Sequence, residues 1–272
     1  MDSSAVTPDG TGAPEAFATH VDQWRQYMDT PLGRMRHGLV LANVLDQIGS
    51  RAGLRVLDAG SGSGECALEL ATRGHHVCLL DSAASMLDMA RRRLVQVDLA
   101  LLEQAEFCCC PVEQVGERFP AGHFGAVLAH TLLEYVPEPW KVLSGLICVL
   151  ACDGILSLLV VNPHAEPFRL AWAKRNPTKA RDALATMSSQ ADLFGVPRRV
   201  LPLEQVREAM QASSVQLLAE RGVRIFSDYA DPEDIAEPQY FEALKDLELA
   251  AGGLEPYRRV GRYTHILGVK TG

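Results

Sequence analysis

No stretch of this sequence approaches 18 consecutive apolar residues, so nothing in it reads as a membrane-spanning helix or predicts a membrane partner. The N-terminus also lacks the basic-then-apolar order of a secretory signal, and the expected location is the cytoplasm. Seven cysteines are present but no pair of C-x-x-C motifs, so no metal site is expected and the thiols read as buried and free. Positive charge is in deficit. With 26 Lys and Arg against 34 Asp and Glu, the formal net charge of −8 argues by itself against a nucleic-acid-binding protein. There are no internal repeats.

What is present is a large apolar share, 47% of 272 residues, enough to build a substantial α/β core. Residues 1–20 are rich in Ser, Thr, Pro, Gly and Ala without periodicity and read as a mobile tail. Residues 21–272 read as a single domain that opens with N-terminal helices over 21–50, broken near Thr30-Pro31-Leu32-Gly33. Short apolar runs then alternate with helical stretches. Strands are expected near 55–58, 76–81, 106–110, 125–129 and 154–161, with helices near 63–73, 85–97, 112–115 and 138–150 between them. That rhythm predicts a Rossmann-like, doubly wound α/β fold: a seven-stranded, mostly parallel sheet with an antiparallel last strand and helices on both faces. The rhythm breaks after Val161. Residues 162–201 are polar, basic and helical in pieces, as expected of an insertion over the active site. Beyond them come a helix at 203–212, β-rich segments at 215–226 and 263–269, and an acidic helical stretch at 232–250.

The run Leu54-Arg55-Val56-Leu57-Asp58-Ala59-Gly60-Ser61-Gly62-Ser63-Gly64-Glu65 is a buried strand, a glycine turn and the start of a helix. Gly60, Gly62 and Gly64 allow a sharp bend and a close approach to a ligand. The spacing is not G-x-G-x-x-G, and no Gly-Lys-Ser/Thr follows, so a phosphate loop fits poorly. Asp58 aims at the same turn, where it would repel a pyrophosphate and attract an ammonium. Asp81 ends the second strand, where an adenosine presents its ribose hydroxyls. Ser82 is expected to cap the next helix and Met86 to cover the adenine. Together these features favour S-adenosylmethionine over NAD or ATP, although singly each also occurs as a plain tight turn or helix cap.

Ligands of doubly wound sheets sit at the carboxyl ends of the strands. Besides Asp58 and Asp81, those ends carry Cys110 with Pro111-Val112-Glu113, then His130 and Asn162. His130 is a possible general base, but the adjoining Leu132 and Leu133 favour a lining role. Charge is also distributed unevenly. Residues 166–199 hold seven bases against three acids, 255–270 four against one, and 220–248 nine acids against three bases. Two locally cationic segments therefore sit on an acidic body, either as solvated surface or as binding surface.

Several motifs resemble class I S-adenosylmethionine-dependent methyltransferases: Val56-Leu57-Asp58-Ala59-Gly60-x-Gly62-x-Gly64, Asp81, and Leu133-Glu134-Tyr135-Val136. Asn162-x-His164, Gly222-Val223-Arg224-Ile225-Phe226-x-Asp228-Tyr229, Glu255-Pro256-Tyr257 and Gly261-Arg262-Tyr263-Thr264-His265 resemble, more narrowly, the bacterial tRNA 5-carboxymethoxyuridine methyltransferases. The resemblance spans about residues 27–269. It implies that Arg36 pairs with the methionine carboxylate of the cofactor and that Gly60 and Gly62 approach its methionine part. It places Asp81 at the ribose, Val112 and Glu113 at the adenine, and His130 at the methyl-donor end. It sets Arg262, Tyr263 and His265 at the substrate, and tRNA becomes the expected partner. The basic run typical of the insertion is thinned here to Pro197-Arg198-Arg199, which weakens the case for tRNA and leaves the cofactor untouched.

The implied reaction is methyl ester formation on the carboxylate of a modified wobble uridine. A carboxylic acid in water loses its proton at pH ~4, so the acceptor is already ionised at neutral pH and requires no base. The alternative is a methyltransferase for a small acid, phenol or amine, which suits the net charge and would need a His as base in the last two cases. A catalytically silent cofactor-binding protein is a rival of another class. An NAD-linked oxidoreductase fits less well because of the glycine spacing.

Overall fold

The computed structural model describes residues 21–186 and 198–272. The expected tail (1–20) and residues 187–197 of the expected insertion lie outside the described residues. The chain enters through α1 (Val21–Asp29) and α2 (Pro31–Ile48), joined by a tight elbow. Thr30 caps α2 by accepting a hydrogen bond from Gly33 N at 3.0 Å, and Pro31 follows at the first helical position. Gly33 is required there, because a Cβ would lie 2.1 Å from the Tyr27 carbonyl oxygen.

The alternating core follows as β1 (Arg55–Ala59), α3 (Glu65–Ala71), β2 (His76–Asp81), α4 (Ala84–Val97), β3 (Ala105–Cys109), β4 (Phe124–His130), α5 (Pro139–Val149) and β5 (Leu150–Val161). It is completed by α6 (Pro177–Thr186), α7 (Leu203–Ala212), β6 (Val215–Val223), α8 (Pro238–Ala251) and β7 (Tyr263–Lys270). Among the described residues the strands form one seven-stranded sheet in the order β3-β2-β1-β4-β5-β7-β6. Only β7 runs antiparallel to its neighbours, paired with β5 on one side and β6 on the other. The predicted sheet is present.

Successive residues of β1 are buried on opposite faces, which is why the strands read as continuous apolar runs. On one face Leu57, Ala59, Leu80 and Leu158 pack against α5 and α7 through Leu143, Leu146 and Met210. On the other, Val56, Leu79 and Leu128 pack against α2, α3 and α4 through Leu39, Leu70 and Leu94. Chain order reverses between β1 and β4, so a crevice opens at their carboxyl ends.

Four local expectations change. The acidic stretch 232–250 is two helices, because Pro238 starts α8 afresh after the short turn Pro232–Ala236. The segment beginning at Val112 is one 3₁₀ turn followed by a four-residue helix. Ser82 does not cap α4; Asp81 Oδ1 instead accepts from Ala83 N at 2.9 Å. Cys109, Cys148 and Cys152 are exposed, and only Cys66, Cys78 and Cys108 are buried thiols. No helix among the described residues is long and apolar enough to cross a membrane.

Candidate active site

A cavity of about 700 Å³ occupies the crevice at the strand ends. It is at the larger end of ligand sites, as a space admitting a donor and an acceptor together must be. Its first half is built by the β1–α3–β2 unit. Gly60 and Gly62 have φ of 67° and 54°, backbone that other residues adopt only with strain. The turn is tied to β2, with Gly60 N and Ser61 N donating to the Leu80 carbonyl at 2.8 and 3.1 Å. Asp81 accepts from Gly62 N at 2.8 Å through Oδ2, and with Oδ1 on Ala83 its orientation is fixed. A carboxylate offers about four acceptor positions, so capacity remains for a ligand's hydroxyl.

Asp58, Gly60, Gly62, Asp81, Ser82, Met86, Val112, Glu113, His130 and Arg36 all line the cavity. Gly64 does not. A Cβ there would lie 2.8 Å from Ala90 Cβ and 2.9 Å from Leu79 Cδ2, so this glycine serves the packing of α3 against α4 and the sheet. Burial, with Glu65 and Asp81 nearby, pushes the Asp58 carboxyl up to about 7. An acid made costly to ionise by burial first and by its acidic neighbours second is a site prepared for a cation. Ser61 adds a buried hydroxyl with no hydrogen-bond partner among the described residues, beside the same turn. Together with the glycine cradle, these groups fit a ligand with an ammonium and a sugar.

Trp24, on α1, escaped the sequence analysis. It donates from Nε1 to Ser63 Oγ at 2.8 Å and its indole covers Gly62, closing the donor side of the cavity. Arg36 donates from Nη2 to Thr131 Oγ1 at 2.9 Å and stacks on Tyr263, 5.2 Å from its ring centre.

The second half of the cavity is made by segments after β5, β6 and before β7. Its lining includes Arg169, Lys174, Arg198, Arg224, Asp228, Arg262 and Tyr263. Five of these form or adjoin a buried chain of alternating charge. Glu166 takes a bidentate pair from Arg169 at 2.9 and 2.6 Å and a bond from Arg262 at 3.2 Å. Arg262 also lies 3.9 Å from Asp228, which in turn pairs with Arg224. Among the described residues this chain joins Arg169, Arg262 and Arg224 through Glu166 and Asp228.

The backbone carrying this chain is itself held by polar side chains. Glu248 of α8 accepts from the amides of Ile225, Phe226 and Ser227 at 2.7, 2.9 and 2.8 Å. Asn162 donates to the carbonyls of Arg259 and Gly261 at 2.8 and 2.9 Å, clamping the turn before Arg262 to the tip of β5. Tyr263 is buried, which raises its phenol, but Arg224, Arg36 and Arg262 outweigh burial and bring it down to about 8. Its neighbour Tyr27 is pushed up to about 12 by burial and by Tyr263.

His265 does not reach the cavity. It lies two residues deeper along β7 than Tyr263, roughly 7 Å at strand rise, and is fully buried. Its place is in a polar chain behind the site. Asn43 Nδ2 donates to His265 Nδ1 at 3.2 Å, so His265 carries its proton on Nε2 and donates to Ser157 Oγ at 2.7 Å. The Ser157 proton then goes to His130 Nε2 at 2.9 Å, leaving His130 protonated at Nδ1, 3.8 Å from Cys66 Sγ. Burial, helped by His265, Arg36 and His37, holds His130 well below the usual histidine range. His130 is thus a neutral wall with both ring nitrogens engaged. Among the described residues, no group of three or more His, Cys, Asp or Glu side chains is arranged to hold a metal ion.

Residues 57–158 match the methyltransferase domain family. The chain is 32% identical over 253 residues to the tRNA 5-carboxymethoxyuridine methyltransferase of Escherichia coli (strain K12), covering 89% of this chain and 90% of that one. This chain is a class I S-adenosylmethionine-dependent methyltransferase. It is also 32% identical over 132 residues to the ubiquinone biosynthesis O-methyltransferase of Dechloromonas aromatica (strain RCB), but that match spans only 48% of this chain and 55% of the relative. Among solved structures, the fold matches magnesium protoporphyrin IX methyltransferase from Synechocystis PCC 6803 with bound SAH. The TM-score is 0.64 at 17% identity, over 97% of this chain and 100% of that one. A second match is a possible histamine N-methyltransferase from Thermotoga maritima, with a TM-score of 0.62 at 14% identity over 95% and 99% of the two chains. The cofactor of this methyltransferase is S-adenosylmethionine.

Proposed function

We propose that the enzyme converts a carboxylate into its methyl ester, and that the acceptor is the 5-carboxymethoxy group of a modified uridine in tRNA. One observation carries the proposal: among the described residues the acceptor half of the cavity is lined by Arg169, Lys174, Arg198, Arg224 and Arg262, while the histidine at the boundary of the two halves is neutral and engaged at both nitrogens. Such a site suits an acceptor that arrives already ionised. The 32% identity to the E. coli tRNA enzyme over 90% of its length supports the nucleotide part.

In this reading Asp58 takes the ammonium of the cofactor, Asp81 its ribose hydroxyls, Met86, Val112 and Glu113 the adenine, and Arg36 the carboxylate. Gly60 and Gly62 let the backbone come close. When bound, S-adenosylmethionine supplies an electrophilic methyl group on a sulfonium. The chain's own residues supply alignment and dryness. Arg262, oriented by Glu166 and Asp228, draws the acceptor carboxylate inward, and Tyr263 with Arg224 fixes its approach. His130, Leu132 and the Trp24 indole exclude water from the reacting centre.

The test is mass spectrometry of nucleosides from tRNA carrying 5-carboxymethoxyuridine, before and after incubation with enzyme and S-adenosylmethionine. The expected product is one methyl group heavier at that uridine and reverts in mild alkali, as an ester does. A base-stable ether or N-methyl product, or no product on tRNA with turnover on a small acid, would overturn it. The second reading, a small-molecule acceptor, draws on the match to the ubiquinone-pathway enzymes, which reaches only about half of this chain. For a phenol or amine acceptor the base would be Tyr263 rather than His130, because Tyr263 faces the cavity with a phenol near 8.

A further inference from the structure

Three aromatic side chains stand exposed on the rim of the acceptor half. Phe168 and Trp172 stack with ring centres 5.6 Å apart and planes at 16°, and Tyr229 meets Trp172 edge-on at 6.3 Å. Trp172 is 65% exposed, and Phe168 and Tyr229 are each 38% exposed. Each is the immediate chain neighbour of a residue lining the cavity: Phe168 of Arg169, Trp172 of Ala173, Tyr229 of Asp228. The ladder therefore begins where the pocket ends.

The backbone that presents Trp172 is unusual. Residues Arg169–Ala173 form a π-turn, closed by Lys174 N donating to the Arg169 carbonyl at 2.9 Å. Such turns are rare and concentrate at functional sites. Arg175 then adopts φ of 49°, ending the turn, and Asn176 caps α6 by accepting from Lys179 N at 3.0 Å. This sharp stop leaves Lys174, Arg175 and Lys179 exposed beside the ladder. An apolar core would have taken in these rings, and the run of exposed cations directly after Trp172 gives this side of the ladder a charge that suits a phosphate backbone.

We propose that Phe168, Trp172 and Tyr229 form a stacking platform for an unpaired RNA base adjoining the methylated nucleotide, with Lys174, Arg175 and Lys179 along its phosphates. Every base has a π-face that stacks on an exposed aromatic ring, and nearby cations follow the backbone. A single-stranded anticodon loop offers both, and the platform adjoins the cavity that would take its splayed-out base. This assignment rests on the nucleotide reading of the acceptor and adds to it the base beside the target.

Two readouts separate the platform from that reading. The first is quenching of tryptophan fluorescence by an unmodified anticodon stem-loop, in wild type and in Trp172→Ala, which needs no turnover. The second is KM for a stem-loop carrying 5-carboxymethoxyuridine and for the free modified nucleoside, in wild type, Trp172→Ala, Trp172→Leu and Trp172→Phe. Trp172→Ala and Trp172→Leu are expected to raise KM for the stem-loop about tenfold, or ~1.4 kcal/mol. Trp172→Phe should hold it near wild type, and nucleoside turnover and S-adenosylhomocysteine affinity should not move. Quenching without methylation of the modified stem-loop would remove the substrate reading and leave the platform standing. Methylation with equal KM in all variants would remove the platform alone. Wild-type KM in Trp172→Leu, absence of quenching, or a wild-type dimer that Trp172→Ala dissociates would also overturn it.

Discussion

The two halves of the cavity are built from opposite charge and by opposite means. The donor half draws Asp58, Glu65, Asp81 and Glu113 from the first strands, and each sits in or beside a backbone turn. The acceptor half draws Arg169, Lys174, Arg198, Arg224 and Arg262 from the second half of the chain, and of these Arg169, Arg224 and Arg262 are held by side-chain ion pairs with Asp228 and the nearby Glu166. Arg36 is the exception on the donor side, and suits a donor that carries a carboxylate as well as an ammonium. In the proposed reading an acidic protein presents a cationic lining to its acceptor, because net charge says nothing about where the charges sit.

The largest expected effect falls on the acceptor side. Arg262→Ala should lower methyl transfer about 30-fold or more, since truncating one member of a buried charge network costs roughly 2–5 kcal/mol. Because Glu166 and Asp228 would lose a partner, thermal melting must be read alongside, and Arg262→Lys should recover part of the rate but not the bidentate geometry. Loss of rate only in proportion to loss of folded protein would count against the role.

On the donor side the sharper probe is pH. With the Asp58 carboxyl near 7, S-adenosylhomocysteine affinity measured by calorimetry should fall as pH drops below 7, approaching tenfold per pH unit. Asp58→Asn should bind weakly at every pH. The linked stability has the opposite sense. The folded protein holds this proton more tightly than the unfolded chain, whose Asp titrates at ~3.9, so stability falls as pH rises from about 4 to 7. Above pH 7 the ligand-free Asn variant should therefore melt higher than wild type. An affinity that is flat between pH 5 and 8 would remove Asp58 from the ammonium site.

The smallest effect is expected at the boundary between the halves. Ser157→Ala breaks the link between His265 and His130 and leaves both buried rings short of a partner, at about 1–3 kcal/mol of stability. Melting should drop by several degrees while kcat changes less than about tenfold. A loss of 100-fold with the fold intact would make His130 the base that this account denies.

The donor half was legible in the sequence because it is local. Asp58, the glycines and Asp81 lie within one βαβ unit, where strand ends and turn residues fix positions without tertiary information. The exception was Gly64, whose reason is packing against Ala90 rather than ligand approach. The acceptor half was only partly legible, because it joins residues nearly a hundred positions apart. Arg262 and Tyr263 came from a motif, and the same motif misplaced His265, whose depth along β7 depends on register. Glu166 with Arg169 and Arg224 with Asp228 stand three and four apart, a spacing that signals paired charges, but nothing in it reveals that Arg262 joins both. Glu248 and Trp24 act from helices that only the folded chain brings to the site.

The division itself is open to one direct measurement: calorimetric titration of S-adenosylhomocysteine into wild type, Asp81→Asn and Arg262→Lys under identical conditions. Weakening by roughly 1.5–3 kcal/mol in Asp81→Asn, with Arg262→Lys within twofold of wild type, is the predicted result. Equal loss in both variants would contradict the account, since it would mean that donor and acceptor do not occupy separate ends of the cavity.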